Sequence, residues 1–111
     1  MTVYHIVLFK LKFGYTVDSK EIADLKAAGQ AMVGQIPGLS RIDFGPPLAS
    51  TANRSQGYDL GLVAILEKAE DVKVYAEHPS HQKVNALRLE VTEQTLAYDL
   101  VVEDNGSGGK L

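Results

Sequence analysis

The chain has 111 residues, enough for one domain and too few for two separate cores. Its 45% hydrophobic and 23% charged content is that of a folded globular protein, and a net charge of −3 argues against nucleic acid, which needs a basic patch. Nothing approaches the roughly 18 apolar residues of a membrane span; MTVYHIVLFK has no secretory character, and with no cysteine the cytoplasm is the expected compartment.

Taken in chain order, the first segment alternates with period two. Val3, His5, Val7, Phe9 and Leu11 share one strand face, and Tyr4, Ile6 and Leu8 share the other. Both faces are apolar, so both need cover. One small domain can cover one face with its own helices; the other then calls for a homodimer through the sheet.

Asp18 and Glu21 have capping-box spacing and open a helix. Its stripe is Ile22, Leu25, Met32, Val33 and Ile36, with Ala28 and Gly29 between them, and Pro37 and Gly38 stop it. LSRIDF is a strand with Ile42 and Phe44 on one face and Arg41 and Asp43 on the other. GPPLASTANRSQG is a connector without phosphate-loop spacing, and YDLGLVAILE is a third strand, apolar on both faces. KAEDVKVYAEH makes a short helix ended by Pro79. SHQKVNALRLEVTE makes another, with His81, Val84, Leu87, Arg88 and Val91 near one stripe, and TLAYDLVVE closes as a strand. Residues 104–111, DNGSGGKL, form a Gly/Ser-rich tail expected to be disordered beyond a domain spanning 1–103. The order is the ferredoxin-like α+β plan: a four-stranded antiparallel sheet with helices on one face, whose bare face can pair with a second copy into a dimeric barrel.

YHIVLFKLK, IPGL, GYDLGL and YAEHPSH together resemble the stress-responsive dimeric α+β-barrel (Dabb) domain over residues 3 to 103. The resemblance implies a homodimer with sheets packed face to face. Through the family's polyketide cyclases, of the olivetolic acid cyclase type, it also implies cofactor-free aldol closure of a linear poly-β-keto thioester. His5 matches the first-strand histidine, Tyr75 the tyrosine six positions before the second histidine of HP-x-H, and His81 that histidine, the general base. Phe9, Leu25, Leu62 and Ala64 fall at pocket positions. Gly29 and Thr92 stand where such a cyclase carries large aromatics, implying a substrate pocket whose mouth is wider or differently filled.

An aldol closure needs a base for a carbon-bound proton flanked by two carbonyls, and neutral imidazole, with a pKa of about 6.5, suits it. The enolate oxygen needs hydrogen-bond donors in a dry pocket. His5, Tyr75 and His81 would supply one base and two donors. His5 shares its face with Val7 and Phe9, and His81 its stripe with Val84 and Val91, so both imidazoles point into the layer between sheet and helices.

Each of these residues also has a purely structural explanation. His81 can satisfy a backbone carbonyl at the helix start, His5 can bond His81 or Tyr75, and Tyr75 can pack in the core. His78 reads as a helix-terminal residue stabilised by the local dipole. A metal held by His78 and His81 is disfavoured, because same-face ligands at i and i+3 need an unbroken helix and Pro79 intervenes. No metal and no cofactor are expected. Two functions stay open: a cofactor-free cyclase or lyase on a poly-β-keto or related small molecule, and a non-catalytic stress-responsive homodimer binding a small apolar ligand in the sheet–helix cavity.

Overall fold

The alternation from Val3 to Leu11 becomes β1 (Thr2–Leu11), the strand on which the sheet is built. In the computed structural model, which describes residues 1–103, it pairs antiparallel with β3 (Leu60–Leu66) on one side and β4 (Thr92–Val102) on the other. β2 (Leu39–Gly45) adds to the far edge of β3, giving the order β2-β3-β1-β4. This is the ferredoxin-like arrangement, with α1 (Lys20–Ala31), α2 (Glu70–Glu77) and α3 (Pro79–Val91) on one face. The tail expected to be disordered, 104–111, lies outside the described residues.

The first helix begins one residue later than its capping-box spacing predicts. Ser19 takes the extended N-cap conformation, but its hydroxyl accepts from the Thr16 N–H at 2.8 Å and makes no cap bond to the helix. The helix also stops at Ala31 rather than at Pro37. Gly34 adopts a φ of 92°, the left-handed geometry that terminates a helix, so Met32 and Ile36 reach the core from turns and Val33 is exposed. β4 starts at Thr92, earlier than TLAYDLVVE predicts. The Lys12 N–H bonds the Val91 carbonyl at 2.8 Å and Leu11 pairs with Thr92, so β1 captures the chain as it leaves α3. The connector carries a 3-10 turn over Ala49–Ser55.

Side chains of β1 at odd positions face the helices. With their neighbours Leu60, Leu62, Ala64 and Leu66 of β3 they meet Ile22 and Leu25 of α1 and Val84 and Val91 of α3 in a single core. Fully burying one such side chain contributes about 1.5–3 kcal/mol, so this layer dominates the fold's stability. The opposite face has no helix. Tyr4, Ile6 and Leu8 lie there beside Val63 and Ile65, and β4 adds Leu96 and Tyr98, 51% and 64% exposed.

Gly29 has a packing reason. The Phe44 ring from β2 occupies the space where a Cβ at Gly29 would stand. Gly29→Ala gains helix propensity worth about 1 kcal/mol but overpacks a core site, which costs about 1–3 kcal/mol. The net expectation is destabilisation by about 1 kcal/mol in urea unfolding. On a Phe44→Leu background the same substitution should instead stabilise, and a loss of equal size there would show that Phe44 is not the obstacle.

Candidate functional site

The break between α2 and α3 positions two of the three site residues. His78 is extended, with φ −67° and ψ 139°, as the residue before a proline must be, and Pro79 starts α3 with a preset helical φ. The His78 ring is the N-cap: its Nδ1 accepts from the Ser80 N–H at 3.1 Å. It therefore acts as a lone-pair acceptor at the start of α3, not through a charge–dipole contact as the sequence reading supposed. Tyr75 and His81 flank this break, and their rings lie 4.6 Å apart, centroid to centroid. The Tyr75 ring also meets His5 of β1 edge-on, at 5.2 Å.

These three side chains line one cavity of about 180 Å³, otherwise walled largely by Val7, Phe9, Leu25, Phe44, Leu62 and Val84. An engineered apolar cavity of about 150 Å³ holds a benzene molecule, so the space here is that of roughly one ring.

The hydrogen bonds determine what each group can do. His81 Nδ1 lies 3.2 Å from the Ala76 carbonyl, which can only accept, so Nδ1 carries the proton and Nε2 keeps its lone pair. Burial lowers the His81 pKa below its ordinary value. The Ala76 carbonyl opposes that shift, and the positive charges of His5 and Arg88 add to it. His81 is accordingly a neutral base at pH 7. Tyr75, 2% exposed, has its hydroxyl pushed up to about 12, chiefly by burial and further by the Asp99 charge, so it remains a donor.

His5 Nδ1 lies 2.5 Å from Asp99 Oδ1, across the β1–β4 register that sets the two residues opposite each other. The carboxylate fixes the proton on Nδ1 and leaves Nε2 as an acceptor while the ring is neutral. His5 donates from Nε2 only when doubly protonated, a restriction that the sequence did not show.

Phe9, Leu25 and Leu62 line the cavity; Gly29, Ala64 and Thr92 do not. Gly29 leaves no wider mouth, because Phe44 fills it. Ala64 is fully buried beside His5 on β3, and the Thr92 hydroxyl is turned to the Arg88 carbonyl at 2.9 Å. Asp99, Phe44, Asn85 and Arg88 were not among the predicted site residues. Asp99 had a signal, a carboxylate within an apolar closing strand; Asn85 and Arg88 follow His81 at i+4 and i+7, the same helical face. Among the described residues no three His, Cys, Asp or Glu side chains gather to hold a metal, and no helix is long and apolar enough to cross a membrane.

Comparison with known proteins matches residues 3–102 to the stress responsive A/B barrel domain, Dabb. An uncharacterized Streptomyces coelicolor protein, SCO4036, is 32% identical over 95 residues, covering 86% of this chain and 95% of its own. Among solved structures, a dimeric ferredoxin-like protein of unknown function from Thermobifida fusca superposes with a TM-score of 0.75 at 25% identity, covering 92% of each chain. A hydroxynitrile lyase from Passiflora edulis reaches a TM-score of 0.79 at 15% identity, covering 94% of this chain and 95% of that one. With its four-stranded sheet, its helix-covered face and a family match over nearly all the described residues, the chain belongs to the stress-responsive A/B barrel (Dabb) family.

Proposed function

We propose that the chain is a cofactor-free acid–base catalyst that makes or breaks a carbon–carbon bond next to a carbonyl, as a cyclase or lyase. The observation that carries this reading is the pair of imidazoles with different hydrogen-bond commitments on either side of a protonated Tyr75 in one largely apolar cavity. In its doubly protonated form His5, held at Nδ1 by Asp99, presents its Nε2–H as the acid of the pair. His81 Nε2 then removes a proton from carbon beside a carbonyl, and the Tyr75 hydroxyl bonds the developing enolate oxygen. The enolate carbon attacks a second carbonyl, forming the new bond, and the resulting alkoxide takes the proton from His5. The reverse sequence cleaves the same bond. The substrate is a poly-β-keto or related small molecule whose reacting part is about one ring in size, matching the cavity.

The bare sheet face supports a homodimer packed sheet to sheet, and the Thermobifida relative is described as dimeric. Tyr98→Glu, placing a charge on that face, should shift wild-type dimer to monomer in sedimentation velocity. A wild type that already sediments as a monomer at tens of micromolar removes the dimer.

One observation favours the non-catalytic alternative: the His81–Ala76 bond ties α3 to α2 across the break, a structural duty. A short β-keto thioester, followed in D2O by mass spectrometry, separates the two readings. Wild type should accelerate α-deuteration and product formation above buffer, and His81→Ala should lose about 10²-fold or more while melting within a few degrees of wild type. Wild-type rates no faster than buffer, with a large drop in Tm for His81→Ala, would establish the structural role instead.

The pH dependence follows from the direction of the His81 shift. The unfolded chain takes up this proton at about 6.5 and the folded chain only at lower pH. Stability from neutral His81 is thus complete above about pH 6.5 and is lost as pH falls below it. Wild-type Tm should fall between pH 7.5 and 5.5 by more than that of His81→Gln, and the acid limb of kcat/KM should lie below 6.5. Equal falls in the two proteins would contradict the depressed pKa.

A further inference from the structure

Arg88 is the permanent cation in the cavity lining. Its Nε and one Nη both donate to Asn85 Oδ1, the former at 2.9 Å, which holds the guanidinium plane without neutralising it. Among the described residues no carboxylate lies within ion-pair distance of it, and the Asp99 carboxylate is engaged by His5. An Arg presents five N–H donors in a fork that matches a carboxylate in two parallel bonds. A half-buried guanidinium with unmatched donors against an apolar wall favours an anion that supplies the missing acceptors.

The spacing fits a ligand. His81 and Arg88 are two turns apart on α3, about 10 Å along the axis, and helical side chains lean toward the N-terminus, so Arg88 reaches back toward the imidazoles. Both side chains line the same cavity. The cavity therefore has a proton-transfer end at His5, Tyr75 and His81 and a cationic end at Arg88.

We propose that Arg88, held in plane by Asn85, anchors a substrate carboxylate, so that the cavity selects small carboxylate-bearing carbonyl compounds over neutral ones of the same shape. This inference rests on reading the cavity as a substrate site but does not require that His81 be the base. Apolar walls favour an organic acid over inorganic phosphate.

The test is binding to the full-length chain, read by amide chemical shifts, with benzoate, benzyl alcohol and inorganic phosphate as probes. Benzoate should bind at least tenfold more tightly than benzyl alcohol, with shifts at Asn85, Arg88 and Thr95. Arg88→Gln should weaken benzoate about tenfold to a hundredfold, the usual effect of hydrogen bonds to a charged group, and leave benzyl alcohol unchanged. The wild-type preference needs no variant and so survives any folding defect in Arg88→Gln. Equal binding of benzoate and benzyl alcohol, phosphate binding without benzoate, or undiminished benzoate affinity in a folded Arg88→Gln each overturns the anchor. A wild type that prefers benzoate yet turns over no substrate supports the anchor and removes only the catalyst.

Discussion

The structure depends on the register of β1 within its sheet. This strand is paired on both edges, so every odd-numbered side chain is committed to the helix face and every even-numbered one to the bare face. A slip of one residue against β4 would turn His5 out of the cavity and replace the Asp99 partner with a residue facing the wrong way. The apolar content of both faces, Val3, Val7 and Phe9 against Tyr4, Ile6 and Leu8, cannot by itself enforce that choice. The helix-side core does, because Phe9 and Leu11 are buried under α1 and α3 while the even positions keep partial exposure.

A second constraint comes from the proline between α2 and α3. A continuous helix would place position 81 six residues after position 75, more than a full turn on, with the side chains at an angle of roughly 120° apart on the helix wheel. The extended His78 and the preset Pro79 redirect the chain, and both rings reach the same cavity. The break also leaves the Ala76 carbonyl without a helical partner in its own element, and the imidazole of His81 and the amide of Gln82 both bond it. The tautomer of His81 is therefore a by-product of helix termination: the same orphan carbonyl that the break creates is what frees Nε2.

How much of this was legible in the sequence depends on the range of the interactions. The order of elements and the two-faced strands were readable, since alternation is a local pattern, whereas the His5–Tyr75–His81 grouping came from the family resemblance. The capping of α1 was misplaced because the Ser19 hydroxyl bonds backwards to Thr16, a choice that composition does not distinguish from a cap. The early end of the same helix turned on Gly34 adopting the left-handed region, which a glycine permits without compelling. Asp99, Phe44 and the non-lining positions of Gly29, Ala64 and Thr92 rest on contacts between residues far apart in the chain. Gly29 shows the difficulty well: its missing side chain suggested open space, and a phenylalanine from β2 uses that space.

The alternation in β4 divides its work more sharply than in β1. Thr95, Ala97 and Asp99 lie on the helix face, where small or polar groups leave room for the cavity, while Leu96, Tyr98 and Leu100 lie on the bare face and supply bulk. Thr92 is buried at the start of the strand, and every later residue of β4 is exposed. Thr95 and Ala97 therefore bound the cavity from this open edge of the sheet. Ala97 sits opposite Val7, and a Leu in its place would extend into the cavity beside His5. The cavity is thus bounded along this edge by side chains too small to fill it, with Val7 and Phe9 of β1 behind them.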